Sequence, residues 1–168
     1  MTCINYNEDT ILNMKVFYMP EIVRKRVKRF CLPIFITYLT ILFYVTLFTF
    51  NYYTYGKSFN LELFDSIKLM FNSGNPWLFA KNVLGNVGLF LPFGFFLPLI
   101  YRKLRTFKTN LFLSFFMSLI IETCQFLFAK RIFDVDDIFL NTIGAVFGWV
   151  LFKCLYSIVT YIFKRSWK

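Results

Sequence analysis

The chain has 168 residues, 58% of them hydrophobic, with 25 phenylalanines and a formal net charge of +10. A soluble domain of this size could not bury so much apolar surface, because small domains have a high ratio of surface to volume. Histidine is absent, which excludes His-based acid–base chemistry, and the basic residues stand in short blocks between long apolar runs, a pattern typical of membrane proteins rather than of nucleic-acid binders.

Four apolar runs are long enough to cross a bilayer as helices, which takes about 20 residues each. Residues 1–29 form a basic segment before the first run, and residues 164–168 form a tail after the four-helix domain of residues 30–163. The fold class that this pattern predicts is an all-α, integral membrane four-helix bundle. Its spans are predicted at residues 30–51, 83–101, 107–129 and 138–157.

The connection between the first and second spans carries several large apolar residues, among them Leu61, Phe64, Ile67 and Phe71. This content predicts a short helix lying on the membrane interface. Residues 72–76, with the sequence NSGNP, then predict a turn.

The distribution of Lys and Arg predicts the orientation of the chain. Dense basic blocks lie before the first span and at residues 102–108, between the second and third spans. Cytoplasmic loops are enriched in Lys and Arg, so both termini and that connection are expected in the cytoplasm. The two remaining connections then face outward, and most of the acidic side chains are there: Glu62, Asp65, Asp134, Asp136 and Asp137.

Glu122 is an ionisable residue inside the third span. It lies seven residues from the outer end of that span, roughly 10 Å at 1.5 Å per residue. A carboxylate at that depth costs about 2–3 kcal/mol or more, so we expect it to face other protein groups or water. Ser118 and Gln125 share its helix face. Glu122 is therefore the candidate catalytic residue, with a structural hydrogen bond between helices as the alternative reading.

Polar side chains also stand near the outer ends of the second and fourth spans. Three helices thus place such residues at one depth, which predicts a polar pocket between the second, third and fourth spans, with Arg131 and Asp134 at its mouth. The candidate binding residues are Asn82, Asn86, Ser118, Glu122, Gln125, Arg131, Asp134, Asp137 and Asn141.

Gly144 and Gly148 form a GxxxG motif in the fourth span. Small residues at this spacing let a second helix approach closely. Packing within the bundle is the preferred interpretation, and a homodimer through these two glycines is the alternative. In the second span, Pro92 and Pro98 predict a kink, because proline removes a backbone donor and frees a carbonyl one turn earlier.

Three blocks of the sequence resemble the VanZ-like family of bacterial membrane proteins. The first is Asn60-Leu61-x-x-Phe64, although Leu63 stands where the family usually has proline. The second is Asn82-x-x-Gly85-Asn86 with the following FLPFG at residues 90–94. The third begins with Ser118-x-x-x-Glu122-x-x-Gln125 and continues with Arg131-x-x-Asp134-x-x-Asp137-x-x-x-Asn141. Together the blocks cover about residues 36–155.

The resemblance implies a protein of the bacterial cytoplasmic membrane, and the family's named member gives low-level resistance to the glycopeptide teicoplanin. The leading hypothesis is an outer-face protein that binds or alters a lipid-linked envelope precursor, with the lipid bilayer as its other partner. An alternative is an intramembrane enzyme, with Glu122 as general base and Mg²⁺ on Asp134 and Asp137; no other cofactor is evident. A third is a small proton-coupled transporter or flippase that uses Glu122.

Overall fold

The computed structural model describes residues 21–49, 58–129 and 131–166. It is almost entirely helical, with one pair of two-residue strands. In chain order the elements are α1 (Glu21–Tyr44) continued by a π-helical stretch (Val45–Thr49), β1 (Phe59–Asn60), α2 (Asp65–Asn72), α3 (Pro76–Ile100), a 3₁₀ turn (Arg102–Leu104), α4 (Phe107–Phe128), β2 (Phe133–Asp134) and α5 (Val135–Ser166).

The predicted all-α fold with four long apolar helices is confirmed. The segments Ile22–Phe48, Pro76–Ile100, Phe107–Phe128 and Val135–Ile162 are each long and apolar enough to cross a membrane. The protein is therefore an all-α, multi-pass membrane bundle. The short helix predicted in the first connection is also present, as α2, and its side chains Leu69 and Phe71 are exposed.

α1, α3 and α5 begin before their predicted spans, because polar residues can continue a helix outside the hydrocarbon layer, whereas α4 matches its predicted span to within one residue. α1 begins at Glu21 within the predicted basic segment, and α5 continues to Ser166. α3 begins at Pro76, where Asn75 caps it by accepting from the N–H groups of Trp77 and Leu78. Residues 1–20, the end of the predicted first span at 50–51, and the last two residues of the tail lie outside the described residues.

α3 and α5 pack closely through glycine. A methyl group on Gly144 would lie 2.2 Å from the carbonyl oxygen of Val87, and one on Gly148 would lie 2.0 Å from that of Leu91. From the opposite side, a methyl group on Gly94 would lie 1.8 Å from the carbonyl oxygen of Ala145. The GxxxG face is thus occupied by α3 of the same chain, which removes the surface that the homodimer through Gly144 and Gly148 requires.

α3 remains helical through both of its internal prolines. Pro98 has no N–H, so the carbonyl of Gly94, four residues earlier, lacks its helical donor. The buried side chain of Asn110, in α4, donates to that carbonyl from Nδ2 at 3.2 Å. A neighbouring helix therefore replaces the hydrogen bond that proline removes, as burial in an apolar layer requires.

Candidate functional site

The two connections that precede α2 and α5 meet at one end of the bundle. β1 and β2 pair in parallel there, with Asn60 opposite Asp134. The Asp134 carboxylate accepts from Asn60 Nδ2 at 3.3 Å, from the N–H of Asp136 at 2.9 Å, and from the hydroxyl of Ser66. Asp134 thereby ties the first turn of α2 to the first turn of α5.

Asp136 makes a second link between these helices. It is fully buried, at 0% exposure. Its two oxygens accept from the backbone N–H groups of Phe64 at 2.5 Å and Ile67 at 3.2 Å. Phe64 precedes α2 in a left-handed conformation, with φ of 69°, and has no side-chain cap of its own. Asp136 therefore caps α2 from α5 and satisfies two of its free donors.

We call the linked starts of α2 and α5 the junction. Glu122 lies beside the junction, with only 1% of its surface exposed. Its Oε1 accepts from the backbone N–H of Asp134 at 2.8 Å. Glu122 thus fixes the connection between α4 and α5 from inside α4.

Asn86, Arg131 and Asp137 form a group that we call the outer ion-pair group, after the side of the membrane on which the sequence predicts it. Asn86 Nδ2 donates to Asp137 Oδ1 at 2.6 Å, and an Arg131 guanidinium nitrogen lies 3.6 Å from Asp137 Oδ2. The side chains of Arg131 and Asp137 are 27% and 15% exposed. Unlike Glu122 and Asp136, this group can be reached from outside the bundle.

The remaining predicted site residues lie apart from that group. Asn141 donates to the Ser118 hydroxyl at 2.9 Å, and both are buried between α4 and α5. Gln125, also buried, donates to the carbonyl of Thr46 in the π-helical stretch after α1. Asn82 donates to Leu78 of its own helix, and among the described residues no hydrogen bond joins it to the rest of the predicted set.

Three residues of the junction were absent from the sequence-based set: Asn60, Ser66 and Asp136. Asn60 does stand in one of the blocks that resemble the VanZ-like family. The sequence did not mark Asp136 as a site residue, because the helix dipole already explains an acid in the first turn of α5. Its buried position between two helices is visible only in the structure.

The carboxylates of this end are already engaged by protein donors. Both oxygens of Asp134 and both of Asp136 accept hydrogen bonds, while Asp137 faces Asn86 and Arg131. Within the described ranges, no three His, Cys, Asp or Glu side chains are grouped so as to hold a metal ion. Mg²⁺ binding by Asp134 and Asp137 stays a prediction, in which the ion would share these oxygens with the protein donors.

Comparison with known proteins finds two similarities. The model of the VanZ/LLP1 family matches residues 35–158, which include every predicted site residue. Protein VanZ of Enterococcus faecium is 30% identical over 109 residues, or 65% of this chain. The chain spans about 60% of the length of that relative. No solved structure matches the chain.

Proposed function

Because this chain belongs to the VanZ/LLP1 family, we propose that it acts on the cell envelope from the outer face of the bacterial cytoplasmic membrane. In this proposal it confers low-level resistance to a glycopeptide antibiotic, teicoplanin, by binding or altering an envelope lipid precursor. The precursor's chain lies in the bilayer beside the helices, and its phosphate-bearing head group contacts the outer ion-pair group.

The observation that carries the proposal is the partial exposure of Arg131 beside Asp137. A guanidinium binds phosphate well, since its N–H groups form a planar fork that matches two phosphate oxygens. The 3.6 Å distance to Asp137 exceeds the roughly 2.7–2.9 Å of a charge-assisted hydrogen bond. Arg131 is therefore held near Asp137 by charge while it keeps donors for an incoming phosphate.

The buried residues supply the frame for this group. Glu122 fixes the N–H of Asp134, and Asp136 fixes the start of α2. These contacts hold the segment that carries Arg131 and Asp137 in one conformation, which lowers the entropy lost on binding. In this proposal Glu122 is a positioning residue.

The enzymatic alternative gives Glu122 a different role, that of a general base. It then has to reach a substrate proton, yet its Oε1 already accepts from Asp134. The transporter alternative requires Glu122 to exchange a proton with both sides, yet only 1% of its surface is exposed. Binding of a head group at the outer ion-pair group requires neither a substrate at Glu122 nor proton exchange through it.

The test replaces Arg131 with Gln in a susceptible bacterial host that expresses the protein. Arg131→Gln is expected to reduce teicoplanin resistance to the level of cells without the protein. Lys68→Gln, which changes an exposed cation on α2, is the matched control and should leave resistance intact. Immunoblots of the membrane fraction check that both variants accumulate. Full resistance in Arg131→Gln would overturn the proposal.

A further inference from the structure

Several cations lie at the opposite end of the bundle. Exposed or half-buried cations from α1, from the α3–α4 connection, from α4 and from α5 are grouped there. Apart from Glu21, the acidic residues in the described part of the chain lie toward the other end of the bundle. We define these cations as the basic surface: Lys28, Arg102, Lys103, Lys108 and Lys153.

Two aromatic residues hold the outlying cations next to the connection. The Lys28 ammonium lies 5.0 Å from the ring centroid of Tyr101, the residue before Arg102. The Lys153 ammonium lies 5.2 Å from the ring of Trp149. Trp149 in turn donates from Nε1 to the carbonyl of Arg105 at 3.1 Å. These cation–π contacts bring charges from three parts of the chain onto one surface.

Arg105 has a separate, structural role at this end. Its Nε donates to the carbonyl of Pro98 at the end of α3, at 3.1 Å. Its guanidinium carbon lies 4.5 Å from the ring centroid of Tyr156. These contacts fasten the connection to α3 and α5, so the neighbouring cations are displayed on a fixed backbone.

We propose that the basic surface is a binding site for the head groups of anionic phospholipids in the adjoining leaflet. Cations at a helix end attract anionic lipids at roughly 1 kcal/mol each near the surface, which is about fivefold in local preference. The flanking rings of Tyr101 and Trp149 suit the level of the head groups, where aromatic side chains are enriched. The inference does not depend on the proposed function, because it involves the other end of the bundle.

The experiment uses quenching of Trp149, which belongs to the surface's own scaffold. The chain has three tryptophans, and Trp77→Phe with Trp167→Phe leaves Trp149 as the reporter. The full chain is reconstituted in phosphatidylcholine vesicles containing about one fifth brominated phosphatidylglycerol or, for comparison, the same fraction of brominated phosphatidylcholine. A relative preference of about fivefold for the anionic quencher at Trp149 would raise its local fraction from about one fifth to roughly one half.

The matched variants separate the basic surface from general attraction by the net charge. Arg102→Gln/Lys103→Gln/Lys108→Gln should reduce the difference between the two quenchers strongly, whereas Lys68→Gln/Lys81→Gln, at the other end, should preserve it. High salt should weaken the preference in the unsubstituted basic surface, because counterions screen exposed charges. This measurement remains informative even if the triple variant misfolds. Equal quenching by the two lipids, or a preference that survives both the triple variant and high salt, would overturn the proposal.

Discussion

The Glu122 carboxylate accepts a hydrogen bond from the backbone N–H of Asp134, with 2.8 Å between Oε1 and the nitrogen. This bond joins the interior of α4 to the residue that immediately precedes α5. The Asp134 side chain then contacts Ser66 at the start of α2. One buried carboxylate therefore controls the placement of two helix starts, and through them of Arg131 and Asp137.

Glu122→Gln is expected to preserve most of the stability and resistance of the protein, because an amide oxygen can still accept from Asp134. Glu122→Leu leaves that N–H without a partner, and a buried unpaired donor costs about 1–3 kcal/mol. Thermal unfolding in detergent should therefore place the Leu variant well below the Gln variant. Teicoplanin susceptibility of cells expressing each variant gives the functional comparison.

The same pair of variants separates binding from catalysis. A general base cannot be replaced by an amide, so an enzyme that depends on Glu122 loses its effect in Glu122→Gln even when the protein is stable. Abolished resistance in a well-folded Gln variant would contradict the positioning role argued for Glu122 and favour the enzymatic or proton-coupled alternative.

Asp136→Ala should release α2 from the bundle. The substitution leaves the N–H groups of Phe64 and Ile67 without acceptors, at a cost of about 1–3 kcal/mol for each group that stays buried. A cysteine placed at Met70, which is half-buried on α2, should then react faster with a membrane-impermeant maleimide. Glu62→Gln, at an exposed position in the same connection, is the control and should not change the labelling rate. Unchanged labelling in Asp136→Ala would show that other contacts hold α2.

Gly148→Ala should disrupt the packing of α3 against α5. The added methyl group would lie 2.0 Å from the Leu91 carbonyl oxygen and 2.9 Å from the Phe95 nitrogen. Both are backbone atoms, so the helices must separate, and overpacking of this kind typically costs about 1–3 kcal/mol. Gly88→Ala is the matched control, since nothing lies within 4 Å of its added methyl group. Equal melting temperatures of the two variants would refute the close-packing interpretation.

The four spans were predictable because the bilayer thickness sets one requirement, length and apolarity, that hydropathy measures directly. The beginning of α3 was not, since capping by Asn75 lies outside the apolar run that hydropathy detects. The role of Asp136 was not predictable either. Its partners Phe64 and Ile67 lie 72 and 69 residues away in the sequence. The helix dipole alone already explains an acidic residue in the first turn of α5.

Helix periodicity alone could not predict which contacts the residues assigned to the polar pocket would make. Asn82 and Asn86 are one turn apart, yet they form different contacts: Asn86 reaches Asp137, while Asn82 donates to Leu78 in its own helix. Spacing of four residues indicates a shared face but does not say which side chain is satisfied by its own backbone.

Asn110 and Pro98 should be energetically coupled, because Asn110 donates to the Gly94 carbonyl that Pro98 leaves unpaired. Asn110→Leu alone has two opposing effects, since it removes this donor but also removes Oδ1, which is buried and has no partner among the described residues. A double-mutant cycle isolates the first effect. Pro98→Ala restores a backbone N–H for Gly94, so Asn110→Leu should cost about 0.5–1.5 kcal/mol less in that background. The cycle compares the unfolding free energies, in detergent, of the unsubstituted protein, the two single variants and the double variant. Strictly additive effects would show that the Gly94 carbonyl does not depend on Asn110.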